Sequence, residues 1–220
     1  MTRALILDFG GVISRTLFET HAQTELALNL PANSLTWRGP FDPTTDALWR
    51  EMQAGDISER DYWAARTGEV AQMIGANWTQ MSDFVRAARG ADPAAVIRPE
   101  FHRAVARAKA HGVRLAILSN ELDLFYGADF RQKLPFLRDF DVIVDATYTG
   151  ILKPDARAYW DVLNRLGLPP DDCVFVDDQT RNITGAQTIG LPAVRFDVAN
   201  PASSYTHALT LLGLTQELTP

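Results

Sequence analysis

Residues 4–11 read ALILDFGG, and this short stretch decides the fold. Its first four residues are all apolar, which is typical of a strand that is buried on both faces of a parallel sheet. Asp8 follows directly, and Gly10 and Gly11 favour a tight turn after it. The stretch therefore predicts a buried strand that ends in a carboxylate and a turn.

Three later apolar runs also end in polar residues, as strands of such a sheet do. The runs and the residues that follow them are 113–118 before Ser119 and Asn120, 142–144 before Asp145, and 173–176 before Asp177 and Asp178. A weaker run covers 192–196. Helical patterns separate the runs, and they extend from Pro99 to Gly112, from Pro154 to Gly167, and from Arg181 to Gly190. This alternation predicts an α/β fold, a three-layer Rossmann-like parallel sheet with helices on both faces.

Residues 15–97 lack a convincing strand and interrupt this alternation. They contain helix-like pieces, one from Thr44 to Ala54 and another that begins at Ser58 with Asp61 three residues later, which is a capping-box pattern. Four of the five tryptophans lie here, at positions 37, 49, 63 and 78, and we interpret them as the core of a helical insertion. The sequence thus predicts a sheet domain of residues 1–14 and 98–220 and a small all-helical domain of residues 15–97.

Composition excludes several classes of partner. The 220 residues carry a formal charge of −6, the wrong sign for binding nucleic acid or anionic lipid, so a small-molecule partner is expected. The only cysteine, Cys173, cannot form an internal disulfide, which favours a reducing compartment. The apolar stretch near the first residue is too short for a signal peptide or a membrane span, so a cytoplasmic protein is expected, as a monomer or a homodimer.

The candidate site lies where the predicted strands end, because ligands of open parallel sheets bind beyond the carboxyl ends of the strands. These ends carry Asp8, Ser119, Asn120, Asp177 and Asp178, and Lys153 precedes a predicted helix nearby in the fold. Two carboxylates about 5 Å apart repel by roughly 3 kcal/mol at an effective dielectric constant near 20. A proton, the lysine or a divalent cation can offset this repulsion, and Mg²⁺ with its preference for oxygen ligands does so most economically.

Four segments in order resemble the motifs of the haloacid dehalogenase superfamily of hydrolases. They are LILDFGGVI, LAILSNE, LKPDARAYW and VFVDDQTRNITGA, and together they span most of the chain. The resemblance is to the phosphatase-like branch, whose helical cap domain is inserted after the first motif. That insertion corresponds to residues 15–97 here.

The resemblance implies the roles of the site residues. Asp8 is expected to be the nucleophile that forms an aspartyl-phosphate, and also a Mg²⁺ ligand together with the main-chain carbonyl of Gly10 and with Asp178. A metal role for Asp177 stays open, and Asn182 is expected to position Asp178 or to cap the following helix.

Ser119 and Asn120 are expected to donate hydrogen bonds to the phosphoryl oxygens, and Lys153 to pair with the phosphoryl group and the nucleophile. These assignments make Asp8 and Lys153 the catalytic residues. Tyr159 is interpreted as helix packing.

The first motif departs from the family pattern at Gly10. Most phosphatases of the family have a second aspartate there, and that group usually contributes 10²- to 10⁴-fold as a general acid and base. Family members with glycine at this position resemble sugar-phosphate phosphatases. We therefore expect a Mg²⁺-dependent phosphatase of a small phosphorylated metabolite, with a sugar phosphate as one candidate. His21, Asp42 and Asp46 are candidate replacements for the acid, although solvated surface positions are the favoured interpretation.

Two alternatives remain open at this point. A 2-haloacid dehalogenase uses the same aspartate to attack carbon without a metal, but Gly10 and the Asp177–Asp178 pair do not match its pattern. A catalytically weakened binding protein of the same fold is supported only by Gly10.

Overall fold

The structure is a computed structural model that describes residues 3–89, 93–127 and 130–214. Within these residues the strands are β1 (Ala4–Leu7), β2 (Arg114–Ser119), β3 (Val142–Asp145), β4 (Cys173–Asp177) and β5 (Ala193–Arg195). The α-helices are α1 (His21–Ala27), α2 (Ala47–Ala54), α3 (Glu59–Ile74), α4 (Met81–Arg89), α5 (Pro99–Ala110), α6 (Leu122–Tyr126), α7 (Ala146–Thr149), α8 (Ala156–Leu166), α9 (Thr180–Thr188) and α10 (Pro201–Leu211). None of the described helices is long and apolar enough to cross a membrane.

The sheet confirms the predicted α/β class. All five strands are parallel in the order β3-β2-β1-β4-β5. Side chains that alternate along the strands, such as Ile6, Leu118 and Phe175, pack against α8 and α9 in one buried cluster. Helices α5 and α10 pack against each other and against the strands, α5 on β2 and α10 on β4 and β5. Strand β1 is fully buried, which agrees with its uninterrupted apolar sequence.

The chain divides into two compact units. The sheet unit comprises residues 1–15, 96–122 and 134–220, and the helical unit comprises residues 16–95 and 123–133. This grouping differs from the sequence-based division mainly because the segment 123–133 belongs to the helical unit. Phe125 in this segment packs edge-on against Trp63, with ring centroids 5.3 Å apart.

An aromatic cluster and a buried ion pair hold the helical unit together. Phe18 packs edge-on against Trp37 and Trp49, and three of the four tryptophans of this region are buried, as expected. Asp46 is 1% exposed and caps α2 by accepting a hydrogen bond from the main-chain N–H of Trp49. Its carboxylate also pairs with Arg66 at 2.6 Å. A buried charge needs such partners, since removing one of them leaves the other uncompensated.

The capping box at the start of α3 is present as the sequence predicted. The Ser58 hydroxyl accepts a hydrogen bond from the main-chain N–H of Asp61, and the Asp61 carboxylate accepts one from the main-chain N–H of Ser58. Two of the N–H groups that a helix start leaves without a helical partner are thereby satisfied.

Candidate active site

The site begins where β1 and β4 lie side by side. Leu7 pairs with Val176 in the sheet register, and the main-chain N–H of Asp8 donates to the carbonyl of Val176 over 2.9 Å. Asp8 and Asp177 are therefore neighbours at the carboxyl ends of these strands. The strand order reverses here, because the chain leaves β1 toward β2 and β3 before it returns to β4 on the other side. Ligands of open parallel sheets bind at such a reversal.

Lys153 lies between the two carboxylates. Its Nζ atom is 2.9 Å from Oδ1 of Asp8 and 2.7 Å from Oδ2 of Asp177. Burial of Lys153 opposes its charge, but the nearby Asp177 and Asp8 carboxylates outweigh this effect and raise the pKa of Lys153 above its usual value. The side chain is therefore an ammonium at neutral pH, fixed between two anions.

Asp177 is held in place from several directions. The side-chain amide of Asn182 donates to both Asp177 carboxylate oxygens at 3.0 Å, and the main-chain N–H of Gln179 donates to Oδ1 at 2.8 Å. The Tyr159 hydroxyl donates to the main-chain carbonyl of Asn182 at 2.7 Å. Burial raises the pKa of Tyr159, so its hydroxyl keeps the proton it donates. Tyr159 thus does more than pack its helix, and Asn182 orients Asp177.

Three carboxylates form an acidic cluster. Asp8, Asp177 and Asp178 each offer one oxygen, and these oxygens lie within 4.8 Å of one another. Together with the Lys153 ammonium, the four groups carry a formal charge of −2. Hard divalent cations bind carboxylate oxygens, so the donor set fits such an ion in both type and charge. Both oxygens of Asp177 accept hydrogen bonds, from Asn182, Gln179 and Lys153.

Ser119 ends β2 and Asn120 follows it, and both are buried. The Asn120 side chain, however, engages the main chain of Lys153. Its Oδ1 accepts from the Lys153 N–H at 2.7 Å, and its Nδ2 donates to the Lys153 carbonyl at 3.2 Å. The expected donation from Asn120 to a phosphoryl oxygen stays a prediction beside these contacts. The Ser119 hydroxyl accepts a long hydrogen bond of 3.4 Å from the main-chain N–H of Glu121.

The turn after Asp8 is anchored by residues that the sequence did not single out. Arg98 donates to the carbonyl of Gly11 at 3.1 Å, and the Tyr205 hydroxyl donates to the carbonyl of Val12 at 2.9 Å. These partners lie far along the chain, so no local pattern reveals them. A Cβ atom placed on Gly10 would meet nothing within 4 Å. Space therefore does not exclude a side chain at the position where the family's acid usually stands.

The candidate replacements for that acid lie in the helical unit. Asp42 is half-buried, whereas His21 and Asp46 are buried, so the interpretation of all three as solvated was wrong for His21 and Asp46. Asp46 accepts hydrogen bonds from the Tyr62 hydroxyl and from Arg66, which gives it a structural role. Asp46 is buried because of these contacts, which the helical periodicity of the sequence does not reveal.

His21 is buried beside Trp37, with ring centroids 4.3 Å apart. Burial, together with repulsion from Arg38, lowers the pKa of His21 to about 4. The imidazole is therefore neutral at pH 7.

A sequence model of the haloacid dehalogenase-like hydrolases matches residues 2–190. The chain belongs to this family. The four motifs read from the sequence identified the family correctly. Every expected site residue lies within the matched range.

The matches to curated relatives cover only part of each relative. The chain is 26% identical over 212 residues to acyl-CoA dehydrogenase family member 10 of Mus musculus, covering 96% of this chain and 19% of that protein. It is 30% identical over 100 residues to Phosphatase MT3486 of Mycobacterium tuberculosis, covering 45% of this chain and 46% of that protein. The chain thus spans less than half the length of these relatives.

A solved structure shares the fold. The L-2-haloacid dehalogenase of Xanthobacter autotrophicus, with chloropropionic acid covalently bound, is 18% identical with a TM-score of 0.60. The similarity covers 100% of this chain and 85% of the dehalogenase chain. At this identity the similarity shows the fold alone.

Proposed function

We propose that this chain is a Mg²⁺-dependent phosphatase that hydrolyses a small phosphorylated metabolite, such as a sugar phosphate, through an aspartyl-phosphate on Asp8. The observation that carries the proposal is the charge of the site. Three carboxylates face one buried ammonium, which leaves a charge of −2 for a divalent cation to balance. The Mycobacterium relative named as a phosphatase supports the same class of reaction.

Asp8 and Asp178 would hold the cation, together with the main-chain carbonyl of Gly10. When bound, the metal stabilises negative charge on the phosphoryl oxygens and reduces the repulsion between the nucleophile and its substrate. In the first step an Asp8 carboxylate oxygen forms a bond to phosphorus while the bond to the leaving oxygen breaks. In the second step water attacks phosphorus, the bond to Asp8 breaks, and inorganic phosphate is released.

Lys153 has two tasks in this reaction. Its ammonium keeps Asp8 ionised and oriented, and it attracts the incoming phosphoryl group. Asp177 fixes the ammonium from the opposite side, itself oriented by Asn182. Ser119 at the end of β2 is a candidate donor to the phosphoryl oxygens. The helical unit corresponds to the cap domain of the family, which selects the substrate.

The missing carboxyl group at Gly10 favours substrates with a good leaving group. Without a carboxyl group at this position, the leaving oxygen departs without the family's usual proton donor. A sugar 1-phosphate needs a proton donor less than a simple alkyl phosphate does, because its anomeric oxygen is the better leaving group. We therefore expect kcat/KM for sugar 1-phosphates to exceed that for sugar 6-phosphates.

The test is phosphate release from purified protein with sugar 1-phosphates, sugar 6-phosphates and p-nitrophenyl phosphate, in Mg²⁺ or in chelator. We expect turnover in Mg²⁺ and a loss of at least about 100-fold in chelator, since the metal supplies several kcal/mol. Asp8→Asn should lose at least about 1,000-fold, as enzymes that lose a nucleophile do. Asp171→Asn, an exposed control, should keep the wild-type rate.

Other outcomes reject the proposal. Turnover that is unaffected by chelator removes the metal from the mechanism. Halide release from 2-chloropropionate, with no phosphate release from any ester, makes the chain a dehalogenase. If neither reaction occurs, the chain is a binding protein of the same fold.

A further inference from the structure

The segment Lys153–Pro154 is held from two sides in the sheet unit. On one side the Asn120 side chain engages both the N–H and the carbonyl of Lys153, at 2.7 and 3.2 Å. A primary amide that pairs with both polar groups of one residue fixes its position and its orientation. Asn120 is 4% exposed, so water does not compete readily for these hydrogen bonds.

On the other side lies Gly185, in the interior of α9. A Cβ atom there would be 2.7 Å from both the Cβ atom and the carbonyl oxygen of Pro154, and 2.9 Å from the Tyr159 hydroxyl. Glycine inside a helix costs about 1 kcal/mol relative to alanine, so its presence needs a reason. The reason here is close packing, because no other residue lets α9 approach the Lys153–Pro154 segment so closely.

We infer that Asn120 and Gly185 are positioning residues for Lys153. Neither residue needs to contact the phosphoryl group for this role. They hold the main chain at residues 153 and 154 so that the ammonium stays between Asp8 and Asp177. The expected effect of these residues on turnover rests on the proposed function. Their expected effect on the position of Lys153 does not.

The size of the effect follows from the packing. Alanine at position 185 needs a shift of about 0.7 Å to restore an ordinary contact distance of 3.4 Å to Pro154. Misplacement of a catalytic group by about 1 Å can cost 10²-fold in rate. Gly185→Ala should therefore lower kcat by about 10- to 100-fold, and Asn120→Ala should do the same by freeing the Lys153 main chain.

Each variant has a matched control. Gly68→Ala alters another helical glycine, in α3, where an added Cβ meets nothing within 4 Å. Asn164→Ala alters an exposed asparagine on α8. Thermal unfolding identifies any variant that fails to fold, and Asn120→Ala tests the inference if Gly185→Ala does not fold.

The first measurement is the rate at which an acylating reagent labels the Lys153 amine, followed by peptide mass spectrometry. Acylation needs an accessible, neutral amine, and Lys153 is 3% exposed and ion-paired. We expect labelling to rise at least about 10-fold in Asn120→Ala and Gly185→Ala, because a displaced Lys153 amine is more accessible to the reagent than one held at 3% exposure between two carboxylates. The two controls should match the wild type. Unchanged labelling in both folded variants overturns the inference, whatever reaction the protein catalyses.

The second measurement is kcat and KM in Mg²⁺. A fall in kcat in both variants, together with faster labelling, supports the positioning role. If Asn120→Ala lowers kcat while Lys153 labelling stays at the wild-type rate, Asn120 donates directly to the phosphoryl group and the inference is wrong. Absence of turnover in the wild type refutes the proposed function instead, and the labelling result then decides the inference alone.

Discussion

Replacing His21 by leucine should change how the stability of the protein depends on pH. The imidazole has a pKa of about 4 in the folded chain against 6.5 for an unperturbed histidine. Burial is the main cause, Arg38 and Arg66 add repulsion, and Glu25 and Asp46 oppose the shift. The unfolded chain therefore binds a proton at His21 before the folded chain does. The contribution of the neutral His21 to the free energy of unfolding is fully present above pH 6.5 and is lost as the pH falls toward 4.

The magnitude follows from the separation of the two pKa values. Each pH unit between them costs about 1.4 kcal/mol, so the folded state loses about 2.5 kcal/mol through His21 between pH 7.5 and 4.5. This is a large part of a typical stability of about 5–15 kcal/mol. Leucine has no titrating group. The free energy of unfolding of His21→Leu should therefore fall by about 2.5 kcal/mol less than that of the wild type over this pH range.

At pH 7.5 the same substitution should cost little. Both ring nitrogens of His21 are buried without a hydrogen-bond partner among the described residues. Replacing such a polar group by an apolar one of similar volume is close to neutral, within about 1.5 kcal/mol.

The assay is urea unfolding from pH 7.5 to 4.5, followed by far-ultraviolet circular dichroism. Tryptophan fluorescence is unsuitable, because protonation of His21 acts directly on the adjacent Trp37. His207→Leu, at an exposed position on α10, is the control and should retain the wild-type pH dependence. If wild type and His21→Leu lose stability in parallel, within about 0.5 kcal/mol, the account of a neutral, buried imidazole is refuted.

Three other substitutions test the site and the fold. A Cβ atom at position 10 meets nothing within 4 Å, and Gly10→Asp should raise kcat for alkyl phosphates by at least about 10-fold, since a general acid contributes 10²- to 10⁴-fold, whereas Gly10→Asn should not. Equal rates for the two variants would argue against a missing acid. Lys153→Met should lower the free energy of unfolding by about 3–5 kcal/mol at neutral pH, because Asp177 loses a buried partner. Lys109→Met, which breaks an exposed pair with Asp139, should cost less than about 1 kcal/mol, and similar losses in the two variants would contradict the buried ion pair. Ser58→Ala should cost about 1 kcal/mol by removing the cap of α3, and an unchanged urea midpoint would show that this cap is dispensable.

The sequence predicted what depends on local pattern. Strand β1 has the predicted bounds, and the capping box at Ser58 could be read from two residues three positions apart. Asp8 and Asp177 could be expected to meet, because parallel strands end at the same edge of a sheet.

Contacts between distant residues could not be read in this way. Asn120 and Lys153 are 33 residues apart, and nothing in either segment shows that the Asn120 amide contacts the Lys153 main chain. The burial of His21 and Asp46 likewise depends on how the aromatic residues of the helical unit pack.

The charge of the site also separates the two candidate reactions. A phosphomonoester dianion about 5 Å from a net charge of −2 meets a repulsion on the order of 10 kcal/mol at an effective dielectric constant near 20. Micromolar binding supplies only about 8 kcal/mol, so the metal-free site repels this substrate. A haloacid carries one negative charge and meets about half of that repulsion. We therefore expect any phosphatase activity of this site to depend on a divalent cation, and the chelator experiment to separate the two reactions.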